Sequence, residues 1–225
     1  MTIRIEDLSK SYHGVDVLSH VNLEISTGSV VGLHGVNGSG KTMLMRAICG
    51  LIRPTSGHVY IDGVEVRAGD SYPKRLGMLI EGPAFLPGYT ALDNLLLLAS
   101  IRGAADESHL RELITLVGLD PEDKRKYRKF SLGMKQRLGI AAAIMEDPDI
   151  VVLDEPTNAL DSSGVAMVKK VVESLRNRGA TVVLACHDFA VLKGLSDQIV
   201  HIAEGKIDEG FELPGDAEGG WDHAC

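Results

Sequence analysis

Apolar positions alternate with polar ones at Ile3, Ile5 and Leu8, and again at Val21, Leu23 and Ile25. That period belongs to half-buried strands. "SVVGLH", residues 29–34, is instead a continuous apolar run, which suits a parallel strand covered on both faces. "KTMLMRAICGL" takes helical spacing, is closed by Gly50 and has Pro54 just beyond. "GHVYIDGVEV" predicts a hairpin around Asp62 and Gly63. "RLGMLIE" predicts a strand that enters the Gly/Pro-rich loop "GPAFLPGYT". From Thr90 to about Met145 the pattern is helical. Strand "DIVVLD", helix "GVAMVKKVVESLRNRG", strand "ATVVLAC", a short helix and strand "DQIVHIAEG" follow. The alternation predicts an α/β fold with a mostly parallel sheet, an antiparallel β subdomain and an inserted helical subdomain over about residues 84–146. A single domain is expected over residues 1–210. The Gly- and acid-rich tail, 211–225, is expected to be poorly ordered.

Composition narrows the function. The 225 residues carry a formal charge of −8, the opposite of the basic patch a nucleic-acid binder needs, so no nucleic-acid partner is expected. The three cysteines, Cys49, Cys186 and Cys225, are far apart and lack metal-ligand spacing, which suits a reducing, cytosolic setting. The start of the chain has no signal-peptide apolar region. No apolar run approaches the roughly 18 residues needed to cross a bilayer. Docking onto a membrane protein stays open.

The chemistry begins at the turn after "SVVGLH". Gly35, Val36, Asn37, Gly38, Ser39, Gly40, Lys41 and Thr42 fit G-x-x-x-x-G-K-[ST] between a strand and a helix. Such a loop turns successive backbone N–H groups toward phosphate oxygens, and the helix start adds its positive dipole end. Lys41 supplies a charge for the outer phosphates, and the Thr42 hydroxyl an oxygen for Mg²⁺. A P-loop NTPase core is therefore expected. "DIVVLDE" ends in Asp154, placed to ligate the ion, and Glu155, placed to deprotonate an attacking water. The bland alternative for the pair is a solvated strand end.

With "FSLGMKQRLGIAAA" about 20 residues before that second motif, the chain resembles an ATP-binding subunit of an ATP-binding cassette (ABC) transporter, from Ile3 to about Gly210. Ser131, Gly133 and Gln136 match the family signature, while Phe130, Leu132 and Met134 depart from it. The wording is similar to the branch of bacitracin-resistance and lantibiotic-immunity exporters. The resemblance implies ATP and Mg²⁺ as cofactors, a homodimer or heterodimer of ATPase subunits, and a separate membrane permease. It implies a cytoplasmic position, peripheral on the inner face of the cell membrane. It makes Lys41, Glu155 and His187 catalytic, and gives Ser131 and Gly133 to the ATP held by the opposite subunit. Tyr12 matches an adenine-stacking aromatic, and "NALD", residues 158–161, the loop that crosses the dimer interface. Where the family usually carries glutamine, this chain has Glu81, a further candidate oxygen for Mg²⁺ beside Thr42 and Asp154. The apolar loop after it, with Phe85, Leu86, Pro87 and Tyr89, suggests a docking groove for the permease or packing of the helical lobe. The basic run "KRKYRK", residues 124–129, is a solvated face or a weak attractor of nucleotide. A soluble cassette ATPase of translation, repair or cofactor assembly remains the rival reading.

Overall fold

The computed structural model describes residues 1–69, 75–102 and 106–208, so the expectation for the tail from Phe211 lies outside them. Two sheets meet. The first is antiparallel, in the order β2 (Val15–Ile25), β1 (Ile3–Tyr12), β4 (Ser56–Ile61), β5 (Val64–Glu65). The second has the order β10 (Lys206–Ile207), β9 (Gln198–Ala203), β3 (Val30–His34), β8 (Thr181–Ala185), β7 (Ile150–Asp154), β6 (Leu76–Leu79). Its pairings are parallel except for the terminal hairpin of β9 and β10. Helix α1 (Lys41–Ile48) follows β3. Helices α2 (Ala91–Arg102), α3 (Glu107–Leu116) and α4 (Leu132–Ile144) lie between β6 and β7, and α5 (Ser162–Asn177) and α6 (Phe189–Leu195) come later. The α/β class with its mostly parallel sheet and antiparallel subdomain is thus observed.

The runs without alternation became the central strands for a physical reason. Every residue of β7 and β8 is buried. Alternate side chains enter different cores: Val151 and Leu153 pack with helices α2 to α5, while Ile150 and Val152 pack with α1 and the antiparallel sheet. The three-residue step from Ile5 to Leu8 is a β-bulge, with Asp7 at φ 46° and a shift in register against β2. Asp62 and Gly63, at φ 50° and 78°, make the expected two-residue hairpin turn.

Helix α4 lies directly on β6. A Cβ at Gly77 would stand 1.8 Å from the carbonyl oxygen of Ala143, a backbone atom that cannot rotate away. Gly77→Ala is therefore expected to destabilise the fold by about 1–3 kcal/mol, the range for overpacked sites. Urea unfolding of both proteins checks this, and an unchanged midpoint would refute the contact.

Candidate functional site

The site sits at the carboxyl ends of β3 and β7, where an open parallel sheet binds its ligands. The chain leaves β3 at His34 and turns through residues 35–40 into α1. Gly35 is required for closeness: a Cβ there would lie 2.2 Å from the Ile202 carbonyl oxygen. Gly40, at φ 111°, precedes the first residue of α1 and lies against the Val17 carbonyl of β2. The loop thus packs on both neighbouring strands, and its form is set before any ligand arrives. The Ser39 hydroxyl is buried there without a hydrogen-bond partner.

A cavity of about 290 Å³ opens above this loop, lined by Val17, Asn37, Lys41, Thr42, Met43, Asp154, Glu155 and His187 together with Gly38 and Gly40. Lys41 is 6% exposed. Its Nζ donates to the carbonyls of Gly35 at 2.7 Å and Val36 at 3.0 Å. These are neutral acceptors, which an anionic phosphate would outcompete. The Thr42 hydroxyl donates to Asp154 Oδ2 at 2.8 Å, so the two candidate metal oxygens are adjacent. Among the described residues no group of three or more His, Cys, Asp or Glu side chains could hold a metal unaided.

Glu155 stands next to this pair. Its residue is left-handed, at φ 49°, and its N–H donates to the Ala185 carbonyl at 3.0 Å. The His187 N–H donates to Glu155 Oε2 at 3.2 Å, and His187 Nε2 lies 3.3 Å from Oε1. Oε1 is buried and accepts no well-formed hydrogen bond, with the His187 ring as its neighbour. Burial pushes the Glu155 carboxyl above the ordinary carboxylate range, and the neighbouring His187 partly opposes this. His34, at the base of the loop, is held below its usual value. Burial is the main cause, followed by His201, with Nδ1 atoms 2.9 Å apart, and by Lys41.

Other expected residues fall elsewhere. Ser131 caps α4, accepting from the Met134 N–H at 3.2 Å, and neither it nor Gly133 lines the cavity of its own chain. Leu132, at the start of α4, is 65% exposed. Tyr12 is half exposed at the end of β1, with Lys10 Nζ 4.6 Å above its ring, and Val17 rather than Tyr12 lines the cavity. Glu81 forms an ion pair with Arg46 of α1 and lines a second, more apolar cavity of about 320 Å³ with Leu51, Met78 and Phe85. In the basic run, Lys124 pairs with Glu122, Arg125 with Asp123, and Lys126 with Asp93, while Tyr127 is buried. Three of the run's five cations are thus paired with carboxylates. Sequence reasoning missed Val17 and Met43. Both are ordinary apolar residues, and only the register of β2 and the first turn of α1 bring them to the cavity.

Comparison with known proteins agrees with this geometry. Residues 18–158 match the ABC transporter family model. The chain is 38% identical over 216 residues to the bacitracin transport ATP-binding protein BcrA of Bacillus licheniformis, covering 95% of this chain and 70% of that one. It is 38% identical over 205 residues to the lantibiotic transport ATP-binding protein SrtF of Streptococcus pyogenes, covering 91% and 88%. A dimeric post-hydrolysis structure of the ATP-binding cassette MJ0796 bound to ADP and Pi superposes with a TM-score of 0.84 at 28% identity, over 95% of this chain and 99% of that one. With its glycine loop, paired Thr42 and Asp154, and half-buried Glu155, the chain belongs to the ABC transporter family as an ATP-binding subunit, and it is an ATPase.

Proposed function

We propose that this ATPase powers export of antimicrobial peptides or similar compounds through a separate membrane permease. The observation that carries the catalytic part is the single cavity that gathers Lys41, Thr42 beside Asp154, and Glu155 beside His187. The export part rests on the likeness to the bacitracin and lantibiotic transport proteins. Among the described residues no helix is long and apolar enough to cross a membrane, and in this reading a partner supplies the pathway. The chain then sits in the cytoplasm, peripheral on the inner face of the membrane.

In this reading the backbone N–H groups of residues 36–42 and the Lys41 ammonium hold the phosphates of ATP. Thr42 and Asp154 are hard oxygens of the kind magnesium takes, and they fit the ion if phosphates and water complete its shell. Bound there, Mg²⁺ would neutralise charge on the outer phosphates. Glu155 accepts the proton of the attacking water. Its raised pKa brings it closer to neutral pH, which favours both taking and releasing that proton. His187 orients the carboxylate through its backbone N–H and ring.

Two copies meet head to tail, so that Ser131 and Gly133 of one face the nucleotide of the other. The cap that Ser131 makes leaves the exposed N-terminus of α4 pointing a dipole at that γ-phosphate. The loop after Glu81 carries exposed Leu86 and Tyr89 beside the second cavity, a groove suited to an apolar element of the permease. Glu81 serves as a metal oxygen only after leaving Arg46.

The test is growth. The chain, expressed with a membrane permease of a bacitracin or lantibiotic exporter in a sensitive host, is expected to raise tolerance to bacitracin or a lantibiotic. Glu155→Gln is expected to remove that gain. Tolerance unaffected by either protein would sink the export reading. The phosphate role of Lys41 has its own check. Lys41→Ala is expected to weaken ATP binding about 10- to 100-fold, the worth of a charge-assisted hydrogen bond. Calorimetric titration measures it, and unchanged affinity would mean that the loop binds something else.

A further inference from the structure

Gln136 belongs to the signature-like stretch, yet its side chain does not go where Ser131 goes. It is 6% exposed, and its Nε2 donates to the carbonyl oxygen of Glu155 at 2.9 Å. Gly133, Gln136 and Arg137 share one face of α4, at spacings of three and four. All three meet the segment that follows β7. A Cβ at Gly133 would lie 3.0 Å from the Ala159 carbonyl oxygen, and Arg137 Nη2 lies 3.6 Å from Asp161 Oδ1. Helix α4 therefore grips residues 155–161 of its own chain along three points.

The middle point matters most for chemistry. Glu155 is a non-glycine residue in the left-handed region, a conformation that persists only when its surroundings hold it. Its N–H is fixed by Ala185, and its carbonyl by the Asn158 N–H at 3.1 Å and by Gln136. Of these, Gln136 alone is a side chain, and it comes from the helix whose first turn carries Ser131 and Leu132.

We infer that Gln136 is a positioning residue: it sets the backbone of Glu155, and so ties the direction of that carboxylate to the placement of α4. This rests on the reading of Glu155 as the base. With Ser131 at the partner's nucleotide, a shift of α4 on engagement would be felt at the carboxylate of the same chain. Each site would then sense whether its subunit holds the other nucleotide.

The experiment uses the full chain with Gln136→Met, which keeps size and helix preference but removes the donor. Turnover is expected to fall about 10- to 100-fold, the loss that a small misplacement of a reacting group causes. ATP affinity should stay within about twofold, because the phosphate loop is untouched. Hydrogen exchange of the nucleotide-free protein should show residues 155–161 exchanging roughly fivefold faster, as for one lost hydrogen bond, with α1 unchanged. Wild-type turnover, or unchanged exchange in that segment, overturns the inference. So does a parallel fall in turnover, affinity and melting temperature, which would make Gln136 a packing residue only. Should the methionine variant not fold, Gln136→Asn, whose amide stops one bond short, is judged by the same measurements. If Glu155→Gln leaves turnover intact, the base assignment fails instead, while the exchange result still reports on the contact.

Discussion

Glu155→Gln is expected to lower ATP turnover by about two to four orders of magnitude, the usual contribution of a positioned general base, while ATP still binds. The amide keeps the shape of the side chain and loses the proton acceptor. Lys41, Thr42 and Asp154, which hold the phosphates and the ion in the proposed site, are left alone. ATP-bound dimers should then accumulate, visible as a shift in size-exclusion chromatography with ATP and Mg²⁺. A variant that stays monomeric, or hydrolyses as the parent does, defeats the role. The substitution has a second signature in the nucleotide-free protein. A carboxyl whose pKa is raised by folding binds its proton more tightly when folded. Stability is therefore lost as pH rises through the window between the unfolded and folded values. At neutral pH the parent carries that cost and the amide does not, so the melting temperature of Glu155→Gln should be the higher of the two. The difference should close at acid pH.

Much of this was legible because the relevant signals are local. A glycine loop between an apolar run and a helix needs only the neighbouring residues to be read, and Gly35 and Gly40 occupy positions where a side chain would strike β9 or β2. Central strands could be recognised because residues buried on both faces are apolar without alternation, as in β7 and β8. What was not legible depends on contacts between distant positions. Nothing near Glu81 announces that Arg46, on α1, would take its carboxylate. Likewise, matching Gln136 to a signature placed it in the right motif but said nothing of its inward direction, which follows from the face of α4 that meets residues 155–161. Tyr12 illustrates the converse: its place in sequence suits a stacking aromatic, yet in the isolated chain its ring lies under Lys10.

The proposed composite site has the sharpest consequence, and it falls on Ser131. Ser131→Arg is expected to leave ATP binding to the single chain unchanged and to suppress turnover at least about 100-fold, because a cation and a long side chain replace the donor presented to the partner's nucleotide. The substitution also acts locally. It removes the cap on the Met134 N–H, at a cost of about 1 kcal/mol, and sets a positive charge at a helix N-terminus. Ser131→Ala shares the lost cap without the bulk, so comparing the two separates stability from catalysis. Mixing gives the decisive result. In a mixed dimer, the intact Glu155 of the Ser131→Arg chain meets the intact Ser131 of the Glu155→Gln chain, which makes one complete site. The other site carries both defects. With random pairing of equal amounts, half the dimers are mixed and half their sites work. Turnover should therefore recover to about a quarter of the parent's if the sites act independently in a symmetric dimer. Each variant alone should be nearly inactive. If the Ser131→Arg chain hydrolyses normally by itself, the site is complete within one chain. If the mixture is as inactive as its parts, the two residues do not serve opposite halves of one site.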